Sequence, residues 1–275
     1  MDRSRRRLRL PRLHLVELED QPWLPEVLRD GATDFLEITQ RVIGAPALAA
    51  PRVRAALVAS GLRQIVDLAS GGGGPALRLR DHLAREGLDV ELVLTDRYPN
   101  RSAFLHAVAG NGARVGARFE TVDARCVPTD LLGLRTMFNA LHHFEPAEVG
   151  AILGDAVTAG RPIVVLELSD RSLVGLLSMA FVPLWVVLLM PLARPFRWSR
   201  LLLTYLIPAI PAVCLWDGVV SQLRTYLPEE LLELAAAADG ESAYEWKAGP
   251  LRRIPPHGSY LIGVPRGLDD ESLGG

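Results

Sequence analysis

Asp67-Leu68-Ala69-Ser70-Gly71-Gly72-Gly73-Gly74 is the stretch on which the reading of this chain turns. Its front overlaps Gln64-Ile65-Val66-Asp67-Leu68-Ala69, a short run with β-branched residues that reads as a buried parallel strand. Behind it, Pro75 to Arg85 suits a helix with proline in its first turn and Gly87 as its stop. Glycines at such a junction let a ligand come close to the backbone, and the helix that follows offers free N–H groups.

Outward from this turn the chain alternates strand and helix. Val90 to Thr95 is the next strand, Asn100 to Ala109 a helix, and Ala117 to Val122 a third strand. Leu134 to Asn139 is a fourth strand, Pro146 to Ala159 a helix, and Pro162 to Leu168 a fifth strand. This rhythm predicts a doubly wound α/β sheet. Asp96 ends the second strand, 29 residues after Asp67, where an acid accepts from both hydroxyls of a ribose. Asp123 closes the third, where an acid accepts from an adenine amino group. Three acids after three successive strands place three acceptors along the carboxyl edge of one sheet, which is where such sheets bind ligands.

Before the sheet, helices are expected over Pro25 to Val42 and Pro51 to Ser60. After residue 170 the alternation stops. Ser172 to Ala193 is 22 residues without a charge, and Leu201 to Trp216 another 16. A helix is expected over Pro228 to Ala238, then closing strands at Ala243 to Lys247 and Ser259 to Val264. The expected division is a helical cap over 1–60, a core over 61–170, an apolar helical insertion over 171–226, and closing elements of the core over 227–275. Arg3, Arg5, Arg6, Arg7 and Arg9 form a basic start, with no uninterrupted apolar signal-peptide core behind it. Leu268 to Gly275 reads as a polar tail.

Composition removes whole classes. At 275 residues a core is easily buried. A net charge of −2 argues against a general nucleic-acid-binding surface. Two cysteines, Cys126 and Cys214, exclude a disulfide scaffold and a cysteine zinc site. Lys247 is the only lysine among 30 basic residues. No Gly-Lys-Ser/Thr follows the glycines, so a P-loop is excluded. The dinucleotide fingerprint Gly-x-Gly-x-x-Gly lacks its third glycine, because Ala76 stands there. No Tyr-x-x-x-Lys pair occurs either, since Tyr244 precedes Lys247 by only three residues.

Asp67, Ala69, Gly71 and Gly73 resemble the acid-x-Gly-x-Gly-x-Gly motif of the class I S-adenosylmethionine-dependent methyltransferases, with Ala69 in place of a glycine. Asp96 matches that family's second-strand acid, Asp123-Ala124 its third-strand segment, and Met137 to Phe144 its fourth-strand segment. The resemblance covers roughly 64–168 plus the two closing strands. It implies a seven-stranded Rossmann-like sheet whose last strand is antiparallel and inserted beside the fifth. It also implies S-adenosylmethionine as cofactor, with Asp67 and the Gly71 to Gly73 backbone at its amino acid part. Asp96, with Arg97 beside it, is then at the ribose, Asp123 and Ala124 at the adenine, and Asn139 at the methionine end.

Methyl transfer is an in-line displacement in which most of the work is positioning in a dry site. A base is needed where the acceptor is a protonated hydroxyl or amine. His142 and His143 follow the fourth strand, and either is a candidate. Asp217 is another candidate, or else a cap for a helix through Gly218 to Tyr226. Glu167 and Asp170 after the fifth strand are only suggestive of a metal site, and no metal is assigned. The insertion is read as helices covering the cofactor site and forming an apolar acceptor pocket. Its outer face is available to a membrane surface, with Arg194, Arg197 and Arg200 at headgroup level. The expected enzyme is a cytoplasmic methyltransferase acting on a hydrophobic small molecule, a lipid or a secondary metabolite. It is peripheral at the inner face of the membrane if the insertion touches lipid. The alternative is a non-enzymatic cofactor-binding module that engages a membrane or a partner. Oligomeric state is left open.

Overall fold

The computed structural model describes residues 10–194, 196–251 and 258–267. The basic start from Arg3 to Arg9 and the tail from Leu268 lie outside these. In chain order the helices and strands are α1 (Glu26–Ile43), α2 (Ala45–Ser60), β1 (Gln64–Asp67), α3 (Gly74–Arg85), β2 (Glu91–Leu94), α4 (Arg101–Asn111) and β3 (Val115–Ala117). Then come β4 (Leu134–Phe138), α5 (Pro146–Thr158), β5 (Ile163–Glu167), α6 (Leu173–Ser178), α7 (Val182–Leu189), α8 (Trp198–Leu201) and α9 (Ala209–Arg224). The last are α10 (Pro228–Ala238), β6 (Tyr244–Pro250) and β7 (Ser259–Pro265).

The chain divides into two compact units. Among the described residues, the first joins those up to Ile43 with Leu168–Tyr226, and the second holds Gly44–Glu167, Leu227–Leu251 and those from Ser259 on. In this division α2 groups with the sheet, whereas the expected cap ran over 1–60. The sequence suggests a helix beginning at Pro51, but α2 starts at Ala45 and runs through the proline. Buried Ala49, Ala50, Val53, Ala56 and Leu57 lie on both sides of Pro51. Their packing outweighs the roughly 3 kcal/mol that an internal proline costs a helix.

In the second unit seven strands form one sheet in the order β3-β2-β1-β4-β5-β7-β6. β1 to β5 run parallel, and β7 lies antiparallel between β5 and β6. The expected doubly wound sheet and its antiparallel insertion are both present. β5 is buried at every position and β4 at four of five, as for strands covered on both faces. Arg135 of β4 is almost wholly buried, and its guanidinium meets Asp155 of α5 at 2.6 Å, fixing that helix to the sheet. The third strand differs from expectation: it spans Val115–Ala117 and ends before Arg118. β3 is an edge strand, so the chain beyond it has one neighbour only. It keeps two backbone bonds there, Arg118 N–H to the Leu94 carbonyl and Val122 N–H to the Asp96 carbonyl, both at 2.9 Å.

In the first unit α1, α7 and α9 enclose an apolar core that includes Phe35, Ile38, Val186, Met190, Ile210 and Val213. Asp30 and Asp34 of α1 pair with Arg197 and Arg200. Asp217 does not cap a helix: it lies inside α9, buried, and its carboxylate accepts from the backbone N–H groups of Leu18 at 2.6 Å and Glu19 at 3.0 Å. The apolar run Ala209 to Trp216 extends the helix past the point where the acid suggested a start, and the acid holds the N-terminal strap instead.

Candidate active site

The glycine turn is built on the main-chain carbonyl of Asp67. It accepts from Thr95 N–H at 3.0 Å, Thr95 Oγ1 at 2.8 Å and Ser70 Oγ at 2.9 Å. Ser70 N–H returns a bond to the Thr95 carbonyl at 2.9 Å, so the ends of β1 and β2 are locked together. The chain then reverses through left-handed residues: Ala69 at φ 53°, Gly71 at φ 55° and Gly73 at φ 77°. Gly73 is required twice over. A Cβ there would stand 2.7 Å from Leu94 Cδ1, besides the backbone conformation. At Gly71 the space is open, with no atom within 4 Å of a Cβ, so the turn presents bare backbone to a ligand.

Asp96 lies directly against this turn. Its Oδ2 accepts from Gly71 N–H at 2.8 Å and its Oδ1 from Tyr98 N–H at 2.8 Å. The carboxylate is fixed in place while each oxygen keeps a further lone pair for a hydroxyl. Neighbouring Arg97 is exposed, with its guanidinium 5.7 Å from the Tyr98 ring centroid. The Val122–Asp96 bond brings the segment carrying Asp123 and buried Ala124 alongside Asp96, although β3 itself has ended. Asp123 is held by Arg125, whose Nε donates to Oδ1 at 2.9 Å and whose Nη2 donates to Oδ2 at 2.6 Å. That pairing lowers the Asp123 carboxyl to about 2. Arg125 reaches on to Glu148 at 2.7 Å.

Asp67 turns inward. It is buried, and its Oδ1 accepts from Thr136 Oγ1 of β4 at 2.7 Å. Burial raises its carboxyl to about 7, against the hydrogen bonds from Thr136 and Ser70, which lower it. Its part in the turn is therefore to tie β1 to β4 beneath the glycines.

At the end of β4, Asn139 has φ 51° and donates its N–H to the Leu166 carbonyl at 2.7 Å. Asparagine tolerates this left-handed conformation better than most residues. The chain turns there into a 3₁₀ segment, Leu141–His143. Glu167, the last residue of β5, accepts on Oε1 from Leu141 N–H at 2.7 Å and His142 N–H at 3.3 Å, and its Oε2 faces His142 Nδ1 at 2.6 Å. An Nδ1–H directed at that carboxylate fixes the orientation of the imidazole. His143 lies against His142, ring centroids 4.3 Å apart. A base oriented by a buried acid is the arrangement general-base chemistry uses. The sequence reading weighed Glu167 only as a metal ligand and missed its engagement with His142, and it missed Arg125 altogether. A lone acid closing the all-apolar run Ile163 to Leu166 was a signal for the first; nothing marked the second.

The sequence matches no protein-family model and no curated protein. Among solved structures, the plantazolicin methyltransferase BpumL in complex with SAH aligns over 86% of this chain and 89% of its own, with TM-score 0.55 and 10% identity. The chain has the fold of the class I methyltransferases. The O-methyltransferase NcsB1 from neocarzinostatin biosynthesis aligns over 87% of this chain and 58% of its own, at TM-score 0.49 and 16% identity. Human N-acetylserotonin methyltransferase aligns over 87% and 56%, at TM-score 0.48 and 14% identity. The chain thus spans little more than half of the length of those two proteins.

Two predictions concern the turn. A left-handed non-glycine residue costs about 1–2 kcal/mol, and a glycine costs roughly 0.4–1 kcal/mol through the unfolded chain. Ala69→Gly should therefore stabilise the protein by about 0.5–1 kcal/mol in urea unfolding; a loss of stability would show that the alanine methyl is packed, not strained. Asp67 in the folded chain holds its proton up to about 7, whereas the unfolded chain releases it near 3.8. Its contribution is complete below the lower value and is lost as pH rises towards the upper one. Unfolding measured across that interval should show wild type losing stability relative to Asp67→Asn, by on the order of 2–4 kcal/mol; parallel curves would contradict the buried, protonated carboxyl.

Proposed function

We propose that this chain is an S-adenosylmethionine-dependent methyltransferase acting on a hydrophobic small molecule. The observation that carries the reading is the bond between Asp96 Oδ2 and Gly71 N–H. It joins an acid suited to ribose hydroxyls to an open glycine turn, at the carboxyl ends of parallel strands. The fold likeness to BpumL, whose structure holds the demethylated cofactor, supports the same reading. The residues fit such a ligand: bare backbone at Gly71 leaves room for the amino acid part, and Asp96 is already oriented. The cofactor supplies a methyl group on a positively charged sulfur, open to in-line attack.

What this chain does is hold and deprotonate. Asp96 orients the ribose through two charge-assisted hydrogen bonds. Asp123, ionised throughout the neutral range, keeps acceptor capacity for an amino group beside its Arg125 pair. His142, oriented by Glu167, takes the proton from a hydroxyl or amine of the acceptor on Nε2, and Glu167 stabilises the imidazolium that results. That buried pair favours turnover over a module that only binds cofactor. A hydrophobic acceptor fits the apolar composition of 172–216, where the only charges are arginines.

Asp96→Ala should weaken S-adenosylmethionine binding at least about tenfold by calorimetry with the fold retained; unchanged affinity would remove the ribose assignment. His142→Ala should lower kcat by roughly 10²–10⁴ with cofactor affinity intact. A fall smaller than tenfold would leave positioning alone as the mechanism.

A further inference from the structure

Leu173 to Leu192 form a near-continuous helical rod: α6, a 3₁₀ turn at Met179–Phe181, α7, and a second 3₁₀ turn at Met190–Leu192. Its mean hydropathy is 2.5, yet only 22% of it is buried. One side, with Val186 and Met190, enters the core shared with α1 and α9. The other side carries Leu173, Leu177, Phe181, Leu184, Leu188 and Leu192, at intervals of three or four residues, each between 41% and 61% exposed. Single exposed leucines need no explanation, but an unbroken stripe along 20 residues does. The surface continues into α8 and the π-helical turn behind it. There Trp198 and Leu206 are 77% and 74% exposed, beside an open apolar depression that Leu202 and Tyr205 also line. Tyr205 Oη donates to the Val187 carbonyl at 2.6 Å, which joins this second patch to the rod.

We infer that this face of the first unit docks in the plane of a lipid bilayer, entering it to the depth of the acyl boundary. Three observations select lipid. The charge is complementary to anionic headgroups: from Ser172 to Trp216 no acidic residue occurs, and Arg194 stands exposed just beyond the rod, while the neighbouring Arg197 is paired with Asp30. Trp185, Trp198 and Tyr205 are exposed on the same stretch, and such rings with one polar atom favour the headgroup level. The stripe itself offers no polar side chain over five turns, whereas a protein interface carries about one hydrogen bond per 100–200 Å².

The geometry selects an in-plane position. The rod is long enough to span a bilayer, but α1, packed on its inner side, carries exposed Glu26, Glu37 and Arg41 and the ion-paired Asp30 and Asp34. Hydrocarbon does not solvate those groups. A helix apolar on its outer side and backed by a charged layer lies at the interface. Because Arg197 and Arg200 are committed to Asp30 and Asp34, apolar insertion supplies most of the binding and Arg194 a smaller part. This corrects the sequence expectation of three arginines at headgroup level, and predicts weak dependence on salt.

The test uses the full chain with phosphatidylcholine vesicles, with and without phosphatidylglycerol, and its readout is independent of methyl transfer. The protein should co-float with both, with a blue-shifted tryptophan emission, remain bound in high salt, and bind a few-fold tighter when phosphatidylglycerol is present. Leu177→Ser with Leu188→Ser, both on the exposed stripe, should leave the circular dichroism unchanged and weaken binding at least about tenfold. Should that variant not fold, Arg194→Glu serves in its place and should remove the phosphatidylglycerol preference. Protein that ignores both vesicles would overturn the inference. So would protein that forms a dimer in sedimentation, lost in the serine variant, without vesicle binding, since a second copy would then be the occupant. Retention in the bilayer through alkaline washing would replace the in-plane position with a span.

Discussion

Three donors converge on one main-chain oxygen, that of Asp67, and the rest of the second unit is arranged around that knot. Thr95 supplies two of them and Ser70 the third, so β1 and β2 cannot part at their carboxyl ends without losing all three. With the strand ends fixed, the chain must reverse within a few residues to enter α3. It does so through three left-handed residues, two of which are glycines. Asp96 follows Thr95 directly, so the constraint that closes the turn also sets the acid against it. A carboxylate anchored by two backbone N–H groups has little freedom left to lose on meeting a ligand.

The sheet was legible because its signals are local and mutually consistent. A short apolar run, a glycine stop, and an acid at the next strand end each point the same way. The alternation gives the doubly wound sheet, whereas the antiparallel strand beside β5 came from the family resemblance. Besides the shifted β3, two readings were decided at longer range. Pro51 looked like a helix start because its local cost is real, and only the alanines packed around it override that cost. Asp217 looked like a cap because it stands before the run Gly218 to Tyr226, which reads as a helix, and only the distant backbone of Leu18 and Glu19 shows what its carboxylate does. The candidate site divides in the same way. Asp96 and the glycines are read from spacing. The engagement of Glu167 with His142 joins positions 25 apart in the sequence, and that of Arg125 with Asp123 depends on a side chain folding back over two residues.

The first unit obeys a different rule. A helix apolar all round is ordinarily surrounded by protein or by lipid. Here the core takes one side of the rod, with α1 and α9 as its partners, and α1 turns its own charges outward. Composition alone could not distinguish this from a bilayer span, since both require 20 apolar residues. The inferred in-plane position rests on the partner helix, since the rod supplies an apolar side and α1 a charged one.

The margins of the sheet set how this chain can meet a copy of itself. One margin is β3, three residues long. The other is β6, where Glu245 and Lys247 are exposed and paired with each other at 2.7 Å, and where Pro250 ends the strand without an N–H to offer. Short strands, charges and proline are the means by which a sheet discourages a further strand from joining it. Sheet extension from chain to chain is therefore disfavoured at both ends, and any contact between copies has to use other surfaces than the sheet margins.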